Sequence, residues 1–522
     1  GATEGGSDLI NIWLYKDNAS HGPDGAGSIG AIVNGFASSG SGGSFGWNAT
    51  SLIGGQSVAN GSTYRVQIYN QTTGDQDFSE SDFSITGAGS QPGSGNAISY
   101  PDIQENYDEG FSDITVDPSS GNFSVIGLAR EKGDQGGSTF GILTMTADEQ
   151  GNIINDSYTN NITNMNMFNT GYPQSFPNWI QDSRIKSFDV SEPGLTAASQ
   201  FAIYKNSFLW VIDDTGNAIG SQSADHPPSQ TWAFPDDDYQ YAQDITSVLQ
   251  VDDGYIVHIQ LWNNIDTSTG CGTSNETYPA VVKTDLQGNF QYYIPIDFEP
   301  DASRYMQWTG GGVVNGEDSG VYYIIGKSNR CGFTGTNQIR MFRVTDTGSQ
   351  FTLDQSYNLS DPSGAPTSIQ SPDMDSFVMN DASSNILHFS LATQNDGFNG
   401  ISSWEISNPN NNPSISFVSF SSYWTHDGGY FELAGKEGDL YVAETENNNI
   451  RVIKFNAVSA SMIPEWDYEF DVFENGYDEY FGGMTTHNIG NGGVAISGTY
   501  KSSVDEYDAF ILLIDESGSR IE

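Results

Sequence analysis

The sequence predicts an all-β protein, a small Ig-like β-sandwich followed by a seven-bladed β-propeller. Three observations carry this reading: a composition of turn formers, one linker-like seam near residues 88 to 97, and two strand signatures that each recur seven times.

The composition comes first. Sixty glycines, abundant Asn, Ser, Thr and Asp, and 12% aromatic residues leave few runs of helix formers and many tight turns. Hydrophobic residues are 36% of the chain, enough to build sizeable cores. The chain has 66 acidic but only 18 basic side chains, for a formal charge of -48. The scarcity of Lys and Arg excludes a nucleic-acid partner, because counterion release needs clustered cations. It argues in the same way against an anionic membrane surface. No segment approaches eighteen consecutive apolar residues, so no membrane insertion is expected. The polar start Gly1-Ala-Thr-Glu-Gly-Gly6 reads as a mature chain without a targeting segment.

The seam Ala88-Gly-Ser-Gln-Pro-Gly-Ser-Gly-Asn96 consists of linker residues without apolar periodicity. It divides the chain into a sandwich over 1–87, a Gly/Ser linker over 88–97 and a propeller over 98–522. Upstream, Leu9–Tyr15, Ser44–Trp47, Tyr64–Tyr69 and Asp82–Thr86 alternate as strands do. Taken together, INIWLYKDNAS, FGWNATSLIGGQSVANGSTYRVQIYN and FSESDFSIT resemble the serine/threonine-rich, GPI-anchored cell-wall family of fungi, over about residues 8 to 87. That resemblance implies an extracellular, carbohydrate-coated setting and supplies no catalytic residues. The chain's end, Ser519-Arg-Ile-Glu522, has no hydrophobic tail of the kind that precedes a GPI anchor.

Downstream, a turn followed by an apolar strand recurs at Gly121–Gly127, Gln200–Tyr204, Asp253–His258, Ser319–Gly326, Ser384–Phe389, Gly438–Ala443 and Gly492–Gly498. An apolar strand ending in a polar, usually acidic turn recurs beside each, at Asp148, Asp213, Asp285, Asp346, Asn408, Asn456 and Asp515. In the D-x-x-G turns the Asp bonds its own backbone and the Gly takes positive φ. Seven units of about sixty residues each predict a propeller rather than a solenoid. The chain stops one strand short after Asp515, and Ala97–Ile103 precedes the first blade as a spare strand, so pairing the two would close the ring. The repeats are similar to secreted bacterial propeller repeats of the "GGYIVVG … FLIKxDxxGN" kind, which implies this fold and export.

Candidate site residues follow from residue chemistry. Cys271 and Cys331, the only cysteines, fall in equivalent loops of consecutive blades. An inter-blade disulfide closing about sixty residues would add roughly 4 kcal/mol in the chain-entropy model; two buried free thiols are the alternative. N-x-S/T sequons place candidate N-linked glycans at Asn18, Asn48, Asn60, Asn70, Asn122, Asn155, Asn161, Asn275 and Asn358, seven of the nine before residue 162. An acidic residue precedes each inner strand, at Asp108, Asp182, Asp238, Asp301, Asp373, Asp427 and Asp478. Such a ring either binds Ca²⁺ or ties turns to backbone, and the second is favoured. Asp236-Asp237-Asp238 and Asp213-Asp214 are the best calcium candidates. The histidines are scattered, and His258 and His388 lie in strand patterns that predict packed rings. Trp179, Trp232, Trp262, Trp308 and Trp424 either stack on sugars or fill blade interfaces.

No nucleophile, metalloprotease or phosphate-loop motif is present in the sequence. The sequence therefore points to a non-enzymatic, extracellular, glycosylated structural protein that forms a homo-oligomer or homopolymer as a surface filament, sheath or layer, bridged by divalent cations. The alternatives are a secreted carbohydrate-binding or carbohydrate-cleaving propeller and a secreted adhesin, with glycans or cell-surface polysaccharide as partners.

Overall fold

The computed structural model describes residues 9–16, 28–37, 61–79, 83–85, 97–100, 103, 107–116, 120–132, 140–159, 185–188, 200–205, 208–213, 241–263, 276–296, 306–309, 312–316, 320–330, 338–359, 368–369, 377–383, 386–395, 398–408, 414–421, 431–436, 438–446, 448–457, 462, 464–473, 478–489, 492–503 and 506–521. Every regular element among them is a β-strand, and none of them forms a helix long and apolar enough to cross a membrane. The chain divides into two compact units. One comprises Gly1–Gly95, Glu465–Glu469 and Gly518–Arg520, and the other Asn96–Pro464, Phe470–Ser517 and Ile521–Glu522.

Among the described residues the first unit shows one five-stranded antiparallel sheet. Leu9–Lys16 lies between Gly30–Ala37 and Gly61–Asn70, and the short strands Gln76–Phe78 and Phe83–Ile85 share the far edge of Gly61–Asn70. Alternation sorts the side chains: Ile12 lies opposite Ile68 and Leu14 opposite Val66 on one face. The other face carries a polar chain in which the buried Tyr15 hydroxyl donates to Gln67 Oε1 at 2.6 Å and Gln67 Nε2 donates to Gln76 Oε1 at 2.8 Å. Strand Gly30–Ala37 has no counterpart in the sequence reading, because its small residues blur the period-2 signal. The expected Ser44–Trp47 strand lies outside the described residues.

The second unit is a ring of seven antiparallel sheets. Blade 1 runs Tyr107–Val116, Phe123–Glu131, Phe140–Ala147 and Ile153–Thr159 from the axis outward, and blade 2 shows Ile185–Phe188, Gln200–Lys205 and Phe208–Asp213. Blade 3 is Tyr241–Val251, Gly254–Asn263, Glu276–Thr284 and Phe290–Pro295. In blade 4 the inner strand is split into Met306–Thr309 and Val313–Asn315, followed by Val321–Arg330, Gln338–Asp346 and Phe351–Asn358. Blade 5 is likewise split, into Ser368–Ile369 and Phe377–Ser383, before Ile386–Asn395, Phe398–Ser407 and Ser414–Ser421. Blade 6 runs Phe431–Lys436, Asp439–Glu446, Asn449–Asn456 and, by strand pairing, Pro464–Phe470, although Glu465–Glu469 of that strand belong to the first compact unit. Blade 7 supplies Glu479–His487, Gly493–Ser503 and Glu506–Asp515, and its fourth strand is Ile98–Tyr100.

Consecutive sheets touch through their early strands, and the seventh touches the first, which makes the array a closed ring. Closure is covalently remote but geometrically direct, since Tyr100, Ser99 and Ile98 pair antiparallel with Ala509, Phe510 and Ile511. The spare strand before blade 1 thus occupies the place expected of it.

Ring geometry explains why the second strands read as nearly continuous apolar runs. In blade 4, Val321, Tyr323 and Ile325 pack against Leu387, Phe389 and Leu391 of blade 5, while Tyr322 and Ile324 pack against Ile256 and Val281 of blade 3. A sheet buried on both faces has no polar face to alternate with. The blade 4–5 layer is anchored by fully buried Trp404, stacked on Phe389 at 5.8 Å with 6° between ring planes.

The turns follow the residue chemistry. Asp148 Oδ1 accepts from the N–H groups of Gln150 and Asn152, and Asp285 Oδ1 accepts in the same way from Gln287 and Asn289. Gly151 and Gly288 sit at φ +79° and +76°, the left-handed region that only glycine enters cheaply.

At the closing seam the inner strands of blades 7 and 1 meet backbone to backbone. A Cβ on Gly482 would lie 2.0 Å from the Phe111 carbonyl oxygen, and one on Gly483 would lie 2.7 Å from Asp113 Cα. Gly482 is also the extra residue of a bulge, because Phe481 pairs with Gly498 and Gly483 with Ser497. Gly482→Ala should therefore cost about 2–3 kcal/mol as an overpacking change, read as a lowered thermal midpoint; an unchanged midpoint would contradict this seam geometry.

Candidate functional site

Several of the buried carboxylates described lie at the ring's seams, and their partners define what they do. Asp108, 1% exposed, pairs with Arg130 Nη2 at 2.6 Å, and its other oxygen accepts from Tyr507 N of blade 7 at 3.3 Å. Beside it, fully buried Glu109 accepts from Ile103 N at 2.9 Å, while its own carbonyl accepts from Thr499 Oγ1 at 2.8 Å. Blade 7 repeats the device: fully buried Glu479 accepts from Val472 N and Phe473 N at 2.7 and 3.2 Å. In both blades the glutamate at the start of the inner strand holds the chain arriving from the previous sheet's outermost strand. Glu432 of blade 6 reaches across to Met484 N of blade 7 at 2.6 Å. A carboxylate that accepts backbone N–H bonds satisfies donors which the crossing segment would otherwise bury unpaired.

The backbone-tying role weighed for the residues before the inner strands thus holds at Asp108. Asp478 accepts from Tyr480 OH at 3.3 Å. Asp182, Asp238, Asp301, Asp373 and Asp427 lie outside the described residues. The glutamates one residue further on are absent from the sequence reading. Their signal is a repeat, Tyr107-Asp-Glu-Gly-Phe111 and Tyr477-Asp-Glu-Tyr-Phe481.

Two buried lysines form a second recurring device. Lys283, on the third strand of blade 3, contacts Asp253 in its own blade and lies 3.6 Å from Asp346 in the turn of blade 4. Tyr292 OH donates to the same Asp346 at 2.6 Å, and burial, with that carboxylate next in effect, raises the phenol well above its ordinary value. Lys454, at the equivalent place in blade 6, pairs with Asp439 at 2.9 Å and with Glu516 of blade 7 at 3.5 Å. Each lysine therefore joins a hairpin of its own blade to the turn of the next. Asp346→Ala should cost about 3 kcal/mol by leaving Lys283 with only the exposed Asp253, whereas the double change Lys283→Met with Asp346→Ala, which removes both buried charges, should cost less than the two single changes together. Chemical denaturation of the single and double variants tests this; a tolerated Asp346→Ala would overturn it.

Of the histidines, His258 is fully buried and within 2.7 Å of Thr246 Oγ1 through Nδ1, and His388 is half-buried in its strand. His21, His226 and His426 lie outside the described residues. His487 is buried in blade 7, where Nδ1 accepts from Ile489 N at 3.1 Å, so Nε2–H is the donor to Ile514 O at 3.2 Å. That pattern requires a neutral ring, and burial lowers its pKa below 6.5. The unfolded chain takes up this proton near pH 6.5 but the folded chain resists it. His487 therefore contributes fully above that pH, and stability falls as pH drops below it. Thermal midpoints of wild type and His487→Gln should converge as pH falls below about 6.5; a constant difference would refute the assignment.

The remaining candidates are placed as follows. Asp213 ends the strand Phe208–Asp213, while Asp214, Asp236, Asp237 and Asp238 lie outside the described residues. Among the described residues no three His, Cys, Asp or Glu side chains converge as a metal site would require. Cys271 and Cys331 lie outside the described residues, as do Trp179, Trp232 and Trp424 and the sequons at Asn18, Asn48, Asn60, Asn161 and Asn275. Trp262 and Trp308 fall within strands Gly254–Asn263 and Met306–Thr309. Asn122 sits in the turn between the first two strands of blade 1, Asn155 on its outermost strand, and Asn358 at the end of the outermost strand of blade 4. Asn70 is 1% exposed, and its Oδ1 accepts from Thr72 N and Thr73 N at 2.8 and 3.1 Å. A glycan on Asn70 would require that turn to open.

Fold and seams together define a seven-bladed β-propeller protein whose ring is closed by a strand from outside the blade order. Comparison with protein-family models finds no match, and comparison with curated proteins finds none. The likeness of residues 8 to 87 to the wall family thus rests on its motifs alone. Among solved structures the chain is similar to the β-propeller domain of the Trilobed protease from Pyrococcus furiosus, reported with an open velcro topology, at 7% identity over 77% of this chain and 93% of that one, TM-score 0.36. It is similar to Drosophila Semaphorin 2a at 9% identity over 80% and 74%, TM-score 0.37. A third is an exo-β-1,3-galactanase from Clostridium thermocellum, at 10% identity over 53% and 60%, TM-score 0.29. The ring assignment rests on this chain's own strand pairing.

Proposed function

We propose that the chain is an extracellular, glycosylated structural protein, the subunit of a self-assembling surface filament, sheath or layer, and not an enzyme. The observation that supports this best is the use made of the described buried charges. Asp108, Glu109, Glu432 and Glu479 bind backbone amides, and Lys283 and Lys454 join neighbouring blades. Groups bound in this way tie the ring's own backbone and blades together, which supports the reading of a stiff structural body. A stiff closed ring offers its outer strands and loops to neighbouring copies, and a heterologous contact repeated between copies yields an open polymer.

The charge of -48 opposes such contacts, so divalent cations bridging carboxylates complete the reading. Secretion agrees with the nine sequons and with the wall-family likeness of the first unit. Electron microscopy and light scattering of the native protein should show extended assemblies in millimolar calcium that shrink on chelation at low salt. A monomer at every concentration and calcium level would overturn the structural reading, and assemblies indifferent to chelation would remove the cation bridge.

A further inference from the structure

Among the described residues of the propeller, three large apolar side chains are exposed: Ile153 at 46%, Ile154 at 58% and Leu353 at 37%. All three lie on outermost strands, Ile153–Thr159 of blade 1 and Phe351–Asn358 of blade 4. Of the outermost strands described, these two carry sequons, Asn155-Asp-Ser157 and Asn358-Leu-Ser360. The other outermost strands, Phe290–Pro295, Ser414–Ser421, Pro464–Phe470 and Ile98–Tyr100, have neither a sequon nor an exposed large apolar side chain.

The blade 1 strand is the sharper case. Ile153 pairs with Ala147 and Asn155 with Thr146, so Ile154 is the extra residue of a bulge on a strand at the sheet's edge. Two adjacent exposed isoleucines on an edge strand invite contact with another chain; the bulge and the exposed Asp156 blunt strand addition, but neither covers the apolar surface. No Lys or Pro occurs between Ile153 and Thr159. The residue that follows the isoleucines is the sequon asparagine, half-buried where Asn70 is closed off.

We infer that Asn155 carries an N-linked glycan whose function is to cover the exposed Ile153–Ile154 edge, which keeps the rim of blade 1 out of contact with other chains. This rests on the extracellular, glycosylated reading above. In the transfer, a lipid-diphosphate-linked oligosaccharide is the donor. The bond between its first sugar carbon and the diphosphate oxygen breaks, and the lipid diphosphate leaves with the electron pair. Asn155 Nδ2 forms the new bond to that carbon and loses one proton to a base, with no change of oxidation state. Ser157 supplies the hydroxyl of the acceptor sequence.

The test is peptide mapping by mass spectrometry of the protein from its native source, together with a Ser157→Ala variant made in the same cells. The Asn155 peptide should be glycosylated and the Asn70 peptide unmodified. Ser157→Ala should lose that one glycan, bind a hydrophobic dye several-fold more strongly than wild type, and aggregate at lower concentration. Adding Ile153→Ser and Ile154→Ser to Ser157→Ala should return dye binding to the wild-type level, which separates exposure of these side chains from general misfolding. A bare Asn155 in native protein that carries glycans at Asn122 or Asn358 overturns this inference alone. Bare peptides at every sequon overturn the glycosylated reading as well. A Ser157→Ala variant that loses the glycan yet matches wild type in dye binding and solubility also overturns the inference.

Discussion

The structure depends on the pairing of Ile98–Tyr100 with the last strand of the chain. A propeller sheet that is apolar on both faces is stable only between two neighbours, so an open array would expose the outer faces of its first and last blades. Tyr100 shows how one residue serves both blades. It pairs with Ala509 of blade 7, its hydroxyl donates to Gly151 O of blade 1 at 3.0 Å, and its ring meets Phe111 edge to face at 5.8 Å. The cluster at that seam draws Phe123, Leu143 and Met145 from blade 1 and Ala495, Ile511 and Leu513 from blade 7.

The electrostatics follow from that constraint. Crossing segments between sheets bring backbone N–H groups into the interior, and a buried glutamate is a compact way to satisfy two of them, as Glu479 does. With only 18 cationic side chains, the chain places several at blade junctions: Arg130 on Asp108, Lys283 between blades 3 and 4, and Lys454 between blades 6 and 7. The rest of the acidic excess gives the protein a strong negative field, which any contact between copies has to screen.

Much of this was legible in the sequence because short-range chemistry carries it. The D-x-x-G turns at Asp148 and Asp285 form as local hydrogen bonding dictates, and the seven recurrences of each strand signature correspond to seven sheets. The spare strand before blade 1 was recognisable because the count of strands otherwise came out one short. Illegible were the strand Gly30–Ala37, whose small residues carry little periodicity, and the roles of Glu109 and Glu479, which depend on segments that reach them only after folding. The sequon at Asn70 takes on a second role once the chain has folded. Its three letters match an acceptor, yet its side chain is consumed by the turn it caps.

The sequence by itself determined an all-β chain, its turn positions, the sevenfold repetition and the excess of acid over base, because each is a property of residue type or of spacing along the backbone. Only the tertiary structure decided which carboxylates are spent on backbone amides, which lysines bridge blades, and which glycines lie where two strands touch. Those outcomes depend on distances between residues remote in sequence, such as Thr499 and Glu109 or Gly482 and Phe111, and a linear pattern holds no information on distance until the ring has closed.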